Sequence, residues 1–280
     1  MADRDEKTGE RWEDRRTLRT TATPMQAWEA WARPAHLSRW FTDDARGEAV
    51  AGGELVHVFS RFGIEIPHRV LEAVPGEKLV VDGMSPMGLP FRQQVIVSRD
   101  GGETVIELVH SGFGSEDDWG MEHEGVDSGW KLALALLRHY LENHWGRDKA
   151  SLFVMRPAAF DYAALGPLYR DEDGLARWLT TSGALAGKQA GDPVRLELQE
   201  GGALTGRLLA DSGRELLVSW DEIDGALELK AFDMGPNGRA VCLRGTAWGM
   251  DTVAAEAWEE RLGRAADRLV TALGRPSAIA

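Results

Sequence analysis

The sequence predicts an α+β chain of two tandem domains, each a curved antiparallel sheet wrapped on a long C-terminal helix. Three observations indicate this fold: a repeated motif, strand patterns separated by turns in each half, and an amphipathic helix ending each half. The motif HLSRWFT at His36–Thr42 recurs as GLARWLT at Gly174–Thr180, which places Trp40 and Trp178 at a separation of 178 − 40 = 138 residues. Because 280 residues suit about two domains, duplication of a whole domain explains the repeat.

The repeat continues past this motif. HRVL at His68–Leu71 corresponds to GRLL at Gly206–Leu209 with the same offset of 138 residues. The offset then falls to 258 − 130 = 128 between Trp130 and Trp258. An offset that only decreases indicates shorter loops in the second copy, with the same elements in the same order.

The elements of the first copy follow in order. An extended segment at Arg16–Thr21 precedes Pro24, which suits the first turn of a short helix, MQAWEAW, and AHLSRWF forms a second one. Strand patterns then alternate with the turn signals Gly52-Gly53, Pro75-Gly76 and Asp100-Gly101-Gly102. The last turn lies between FRQQVIVS and TVIELVH and therefore predicts a hairpin.

Each copy ends in a predicted amphipathic helix. In the first, Trp130, Leu134, Leu137 and Leu141 recur at helical spacing, with Ser128 as the predicted N-cap. The second shows the same spacing at Trp258, Leu262, Ala265, Leu269 and Leu273, followed by the stop signals Gly274 and Pro276. A sheet with one apolar face needs a cover, and such a helix supplies it.

Composition restricts the possible partners and location. The net charge of −13 argues against a nucleic-acid backbone or an anionic membrane as the main partner. The single cysteine, Cys242, excludes an intrachain disulfide and a CxxC site. The charged N-terminus does not resemble a signal peptide, and the longest apolar run, Leu132–Leu137, is too short to span a bilayer. We therefore expect a cytoplasmic protein without a membrane span.

Several runs in the first half carry a family resemblance. HRVLEAVPGEKL at His68–Leu79, HSGF at His110–Phe113 and GWKLALALLRHYLEN at Gly129–Asn143 follow Trp40-Phe41 in a fixed order. With these runs, the chain resembles the heat-shock-protein ATPase activator-like branch of the START-like (SRPBCC) superfamily. The resemblance implies a helix-grip fold like that of birch-pollen allergen, enclosing a cavity for a ligand.

The resemblance and the repeat together predict the domain organisation. A charged N-terminal segment (residues 1–13) precedes a first START-like domain (14–147) and a second, diverged one (151–276). The second copy keeps GRLL and the terminal helix, but Gly245 stands where the first copy has His110. We expect the second domain to pack on the first or to mediate self-association.

The predicted ligand site lies in the first domain. Its residues are Trp40, Leu55, His57, Phe59, Phe91, His110, Phe113, Trp119, Trp130 and Leu134. On the strand at Glu54–Ser60 the family pattern directs Leu55, His57 and Phe59 inward, whereas a strict offset of 138 would direct Val56 and Val58 inward. We adopt the family pattern.

The acidic segment SEDDWGMEHE at Ser115–Glu124 is interpreted as a solvated loop before the last helix of the first copy. A divalent-cation site around His123 is the alternative, and Trp119 would either cover the cavity mouth or anchor the loop. The sequence lacks the common phosphate-cradling, metalloprotease, hydrolase and dinucleotide motifs. No catalytic residue, metal or cofactor is therefore assigned.

The resemblance favours binding of a small hydrophobic or amphipathic molecule over catalysis. An alternative is a polyketide cyclase/dehydratase-like enzyme, in which His57 works with His68 or His110; this requires at least two of them to converge on a common point. A third possibility is a chaperone-interacting protein, although the chain has no room for the additional N-terminal domain of the co-chaperone.

Overall fold

The computed structural model describes residues 13–85, 88–112, 116–234 and 238–274, with the side chains of 116–127 left out. The predicted charged segment 1–13 therefore lies outside the described residues except for Glu13, and so does Pro276.

The first half forms one antiparallel sheet with three helices. Its elements are β1 (Glu13–Thr20), α1 (Pro24–Ala32), α2 (Pro34–Trp40), β2 (Asp44–Gly47), β3 (Glu54–Phe59), β4 (Ile64–Val74), β5 (Lys78–Met84), β6 (Pro90–Asp100), β7 (Glu103–Gly112) and α3 (Glu116–Asn143). The seven strands are ordered β1-β7-β6-β5-β4-β3-β2. The predicted hairpin is present, because Gly101 and Gly102 connect β6 to β7 with positive φ angles of 59° and 91°.

The second half repeats this plan. Its elements are β8 (Lys149–Pro157), α4 (Tyr162–Arg170), α5 (Glu172–Ala176), β9 (Thr180–Ser182), β10 (Pro193–Leu198), β11 (Ala203–Asp211), β12 (Leu216–Trp220), β13 (Gly225–Asp233), β14 (Arg239–Trp248) and α6 (Thr252–Leu273). The strand order, β8-β14-β13-β12-β11-β10-β9, matches that of the first sheet. Two antiparallel sheets, each followed by a long helix, confirm the predicted α+β helix-grip fold.

Matching details support the predicted duplication. The indole nitrogen of Trp40 donates to the carbonyl of Ala30 at 2.9 Å, and that of Trp178 donates to the carbonyl of Leu168 at 2.8 Å. Each bond spans ten residues, and both tryptophans are fully buried. The repeated motif thus fixes the second short helix of each half against the end of the first one.

A β-bulge recurs at the same place in both sheets. The pairing of β4 with β5 shifts after Val70, and the pairing of β11 with β12 shifts after Leu208, which lies 208 − 70 = 138 residues later. Because a bulge bends its strand and increases the local twist, both sheets bend at the same strand.

Local sequence explains where several helices begin and end. Thr23 caps α1: its hydroxyl accepts from the amide of Gln26, while the Gln26 side chain accepts from the Thr23 amide. Asp251 caps α6 by accepting from the amide of Ala254, and Gly274 ends that helix with a positive φ of 95°. Helix α6 places Leu262, Ala265, Ala266 and Leu269 in the hydrophobic core of the second sheet.

The predicted start of α3 is wrong. The helix begins at Glu116, so Ser128 lies inside it rather than at its N-cap, and most of SEDDWGMEHE is helical rather than a loop. Three acidic residues, Glu116, Asp117 and Asp118, fall in the first turn, where the helix dipole stabilises negative charge. Acidic residues therefore indicate the start of a helix here and not a solvated loop. The predicted apolar stripe is nevertheless correct, because Trp130, Leu134, Leu137 and Leu141 are all buried.

The chain divides into two compact units. One contains the described residues up to Gly129 together with 137–146, and the other contains 130–136 together with the residues from Arg147 onward. The domain boundaries derived from the sequence stay a prediction. Within the described residues, no helix has the length and apolar character needed to cross a bilayer.

Candidate functional site: a histidine row inside the first half

The site is built on one face of the first sheet. His68 on β4 pairs with Leu55 on β3 and with Gly83 on β5, and Gly83 pairs in turn with Phe91 on β6. Side chains two positions along a strand share a face, so His57 and Gln93 lie on the same side as this row. His110 on β7 joins them, because it pairs with Gln93.

Four rings form a continuous line across these strands, here called the histidine row: His57, His68, Phe91 and His110. The ring centroids are 4.0 Å apart between His57 and His68, 5.6 Å between His68 and Phe91, and 5.0 Å between Phe91 and His110. His57, His68 and His110 are each no more than 6% exposed. Strand pairing therefore brings three histidines into one row, although the first and the last of them are 110 − 57 = 53 residues apart in the sequence.

Gly83 makes room for the row. A Cβ atom at this position would lie 2.5 Å from the ring of Phe91, well inside van der Waals contact. The absence of a side chain on β5 lets the Phe91 ring lie over the backbone between His68 and His110.

Two of the histidines make hydrogen bonds, whereas the third makes none within the described residues. Nδ1 of His68 donates to the carbonyl of Ile66 at 2.9 Å. The side-chain amide of Gln93 lies 3.1 Å from Nδ1 of His110, to which it can donate. His57 has ring contacts with Phe41 and His68 but no hydrogen-bond partner in the described part of the chain.

Burial keeps the row uncharged at neutral pH. Desolvation lowers the pKa of His68 to about 4, against a smaller opposing effect from the carbonyl groups of Ile66 and Leu55. Desolvation also lowers the pKa of His110 to about 4, with a further contribution from His68. The pKa of His57 is lowered well below its usual value, first by burial and then by the nearby His68. The row therefore presents neutral imidazoles.

A small cavity lies beside His57. It is lined by Trp31, Leu55, His57, Leu79, Val81, Gln93 and Val95, and its volume is about 10 Å³. This is close to the smallest space that admits one water molecule. Trp31 comes from α1, and all other lining residues come from the sheet.

The structure brings together four of the predicted site residues. Leu55 and His57 line the cavity, and Phe91 and His110 belong to the adjacent row. The inward direction of Leu55 and His57 follows the family pattern rather than the strict offset. Strand pairing gives the reason. Leu55 pairs with His68 as Val194 pairs with Gly206, so the offset on this strand is 194 − 55 = 139. The prediction that the offset only decreases from 138 is therefore wrong on this strand.

Other predicted residues lie around or beyond this group. Trp40 is buried behind the cavity, with its ring 5.1 Å from that of Trp31, and Phe59 is half-buried, 5.6 Å from Phe41. Trp130 and Leu134 lie in the stretch of α3 that groups with the second unit, so their role in a ligand site stays a prediction. Phe113 lies outside the described residues, as do the side chains of Trp119 and His123.

The predicted set omitted three residues that the structure places at the site: Trp31, His68 and Gln93. A signal for Gln93 exists in the sequence. Phe91, Gln93 and Val95 alternate along β6 with exposed or half-buried neighbours, which places Gln93 on the apolar face. A buried amide on an apolar face is unusual enough to indicate a polar site.

Two other kinds of site differ from this group. Within the described residues, no group of three or more His, Cys, Asp or Glu side chains could hold a metal ion. An open groove of about 620 Å³ lies in the second half, between α4, α5 and the end of α6. Its lining includes Asp171, Glu172, Asp173 and Arg177, and none of the predicted site residues contributes to it.

The second half has none of the row's polar groups at the matching positions. Strand pairing gives the equivalences His57 with Leu196, His68 with Gly206, Gly83 with Trp220, Phe91 with Gly225, Gln93 with Leu227, and His110 with Gly245. Leu196, Trp220 and Leu227 all belong to the hydrophobic core there. The same strand framework thus forms with apolar residues or glycine at these positions.

The first half of the chain matches a known protein family. Residues 21–142 match the family described as Activator of Hsp90 ATPase homolog 1-like protein. No curated relative matches the chain.

Three similar solved structures are CalU16 from Micromonospora echinospora, the Aha1 dimer from Colwellia psychrerythraea, and DynU16, a putative protein in the dynemicin biosynthetic locus. CalU16 is 21% identical, with a TM-score of 0.39, over 47% of this chain and 85% of its own. The Aha1 protein is 20% identical, with a TM-score of 0.41, over 48% of this chain and 99% of its own. DynU16 is 16% identical, with a TM-score of 0.41, over 93% of this chain and 97% of its own. The family match over residues 21–142 agrees with the resemblance carried by HRVLEAVPGEKL and HSGF, so the first half of this chain is similar to the Activator of Hsp90 ATPase homolog 1-like family.

Proposed function

We propose that the first half binds a small amphipathic molecule between its sheet and helices, with the histidine row as the polar contact. The observation that carries this proposal is the comparison of equivalent positions. Three buried histidines and Gln93 are replaced in the second half by leucine or glycine, and the fold is retained. Because burying polar groups costs free energy, their presence in one half alone points to a role other than folding.

The size of the cavity sets a condition on binding. A volume of about 10 Å³ holds about one water molecule, so a larger ligand requires a lining group to move outward. Trp31 is the lining residue that belongs to a helix, and no strand pairing holds it in place. We therefore expect α1 to move when a ligand enters, and Trp31 to report the movement.

Native mass spectrometry of the full chain, purified from its own host, tests the proposal. The expected result is a bound species that denaturation releases as a small molecule. A double variant, His57→Leu with His68→Gly, carries the residues of the second half and should lose that species. Arg92→Ala is the matched control, because Arg92 lies between Phe91 and Gln93 on β6, on the half-exposed side of the sheet, where it pairs with Asp82.

A mass without ligand for the wild-type chain, together with an unchanged indole N–H resonance of Trp31 in the presence of apolar probes, would contradict the proposal. Retention of the same ligand by the double variant would instead place the site away from the row.

A cyclase- or dehydratase-like enzyme remains a second candidate, because His57 and His68 converge with ring centroids 4.0 Å apart. Their low pKa values make them neutral at pH 7, so they could accept a proton but could not donate one as imidazolium. Chemical turnover of the released molecule by the wild-type chain, absent in His68→Gly, would support the enzyme over the binding protein.

Two further expectations concern partners. The second half is proposed to pack on the first or to mediate self-association, which analytical ultracentrifugation of the full chain would distinguish. A role with a chaperone is the remaining proposal from the family resemblance. A pulldown with the heat-shock ATPase, combined with assay of its turnover, would test it.

A further inference from the structure

The next inference rests on the proposed function and names the chemistry of the ligand. We infer that the ligand presents a neutral hydroxyl group to His57 and Gln93, and that the cavity excludes carboxylates and amines at this position.

His57 is the first group that a ligand would meet in the cavity. Its side chain is 6% exposed, lines the cavity, and makes no hydrogen bond within the described residues. A neutral imidazole has one N–H donor and one acceptor nitrogen. Neither ring nitrogen of His57 has a hydrogen-bond partner among the described residues, so both can bond to a ligand in the cavity. This makes His57 a natural anchor.

Gln93 is the second polar residue in the cavity wall. Its amide nitrogen carries two hydrogens, of which one can reach Nδ1 of His110 at 3.1 Å, leaving the other hydrogen and the amide oxygen available. His57 and Gln93 both line a cavity of about 10 Å³. A space of that size admits about one oxygen atom. The side chains of His57 and Gln93 can therefore contact the same oxygen atom of a ligand.

The two residues together select a hydroxyl group. A hydroxyl donates one hydrogen bond and accepts up to two, so it can donate to an imidazole nitrogen and accept from Gln93, or accept from the imidazole N–H and donate to the amide oxygen. It therefore fits either tautomer of His57, whereas a carbonyl group fits only the tautomer whose N–H faces the cavity.

The rest of the lining excludes charged groups. The other lining residues, Trp31, Leu55, Leu79, Val81 and Val95, offer no ionic partner. A carboxylate or ammonium group placed here would be desolvated without a counter-charge, which is far more costly than burying a hydroxyl.

Titration of the full chain with phenol, anisole and benzoate tests the inference. These three probes share a ring and differ at the polar group. The indole N–H resonance of Trp31 and the ring resonances of His57 report binding by NMR. We expect phenol to bind about tenfold more tightly than anisole, the size of one net hydrogen bond. Benzoate should leave these resonances unchanged.

The variants His57→Leu and Gln93→Leu carry the residues found at Leu196 and Leu227 in the second half, so both are expected to fold. In each, phenol and anisole should bind with equal affinity. Arg92→Ala should keep the preference for phenol, because Arg92 lies on the opposite side of the strand. The dispersion of the backbone amide spectrum confirms that each variant is folded.

Three results would overturn the inference: equal binding of phenol and anisole to the wild type, tighter binding of benzoate, or no response to any probe. In the first two cases the proposed function survives, since the cavity still binds a small molecule. In the third, native mass spectrometry decides the proposed function separately.

Discussion

The two halves of this chain share a framework and differ in their interior. Both have seven strands in the same order, a bulge at the same place, and a tryptophan that bonds to the carbonyl ten residues before it. The first sheet carries the histidine row, whereas the equivalent positions of the second sheet carry apolar residues and glycine. The comparison shows that the strand framework forms both with and without the polar side chains of the row.

The position of the bulky side chain differs as well. In the first half, Gly83 lies beneath Phe91, which belongs to the neighbouring strand. In the second half, Trp220 stands at the equivalent position, opposite Gly225, and its ring lies 4.6 Å from that of Trp258 on α6. One large ring from β12 thus occupies the core where the first half uses several smaller ones.

The largest expected difference between the halves is in their response to acid. All seven histidines precede Arg147, and the pKa values of His68 and His110 are about 4 in the folded state, compared with 6.5 ordinarily. Because the folded values are lower, the unfolded chain binds protons first, so the first half loses stability as the pH falls from 6.5 toward 4. The loss approaches about 3 kcal/mol for each histidine.

Amide hydrogen exchange at pH 7 and pH 5, followed by mass spectrometry, would measure the acid response of each segment. The rates must be corrected for the intrinsic exchange rate at each pH. Peptides from β3, β4 and β7 should lose protection at pH 5, while those from β10 to β14 keep it. Equal loss in both halves would show that the row does not control acid sensitivity.

The next largest effect tests what the halves share. Trp40→Ala and Trp178→Ala each remove a fully buried indole and its hydrogen bond to a backbone carbonyl. Each substitution should lower the free energy of unfolding by about 3–5 kcal/mol. Guanidinium unfolding measures the loss, and segment-resolved exchange locates it. A large effect in one half only would argue against equivalent roles for the two motifs.

A smaller effect is expected at Gly83. A Cβ atom there would clash with the Phe91 ring at 2.5 Å, so Gly83→Ala should destabilise the first half by about 1–3 kcal/mol. Gly129→Ala is a matched control, because it adds the same methyl group on α3 with nothing within 4 Å. The control should be neutral or stabilising, since alanine favours helix over glycine. Urea unfolding of both variants compares them, and equal destabilisation would contradict the tight contact.

The smallest expected effect has the opposite sign. His57→Leu replaces a buried imidazole without a hydrogen bond by the residue found at Leu196. It should raise the free energy of unfolding by about 1 kcal/mol, because an apolar side chain replaces a polar one among the buried residues of the first half. Thermal unfolding at pH 7 measures the gain. A clear loss of stability would mean that His57 has a structural role, which would weaken the functional interpretation of the row.

Much of the fold could be read from the sequence because local signals and the repeat agree. Pro24 marks the start of α1, Gly101-Gly102 marks a hairpin, and Gly274 marks the end of α6. Trp40 and Trp178 identify the duplication. Each of these features depends on residues close together in the chain or on repetition of the same pattern, so no knowledge of distant contacts is needed.

The site could be predicted only in part, and the reason is strand register. Alternation along β3 places Leu55 and His57 on one face, but it does not say which face is inward, and a shift of one residue reverses the answer. The convergence of His57, His68 and His110 depends on the pairing of separate strands, together with the space above Gly83. The sequence by itself determined the elements, the repeat and the presence of histidines on the strands. Only the tertiary structure decided that they form a buried row beside a cavity of about 10 Å³, because ring contacts across a sheet follow from register and not from sequence separation.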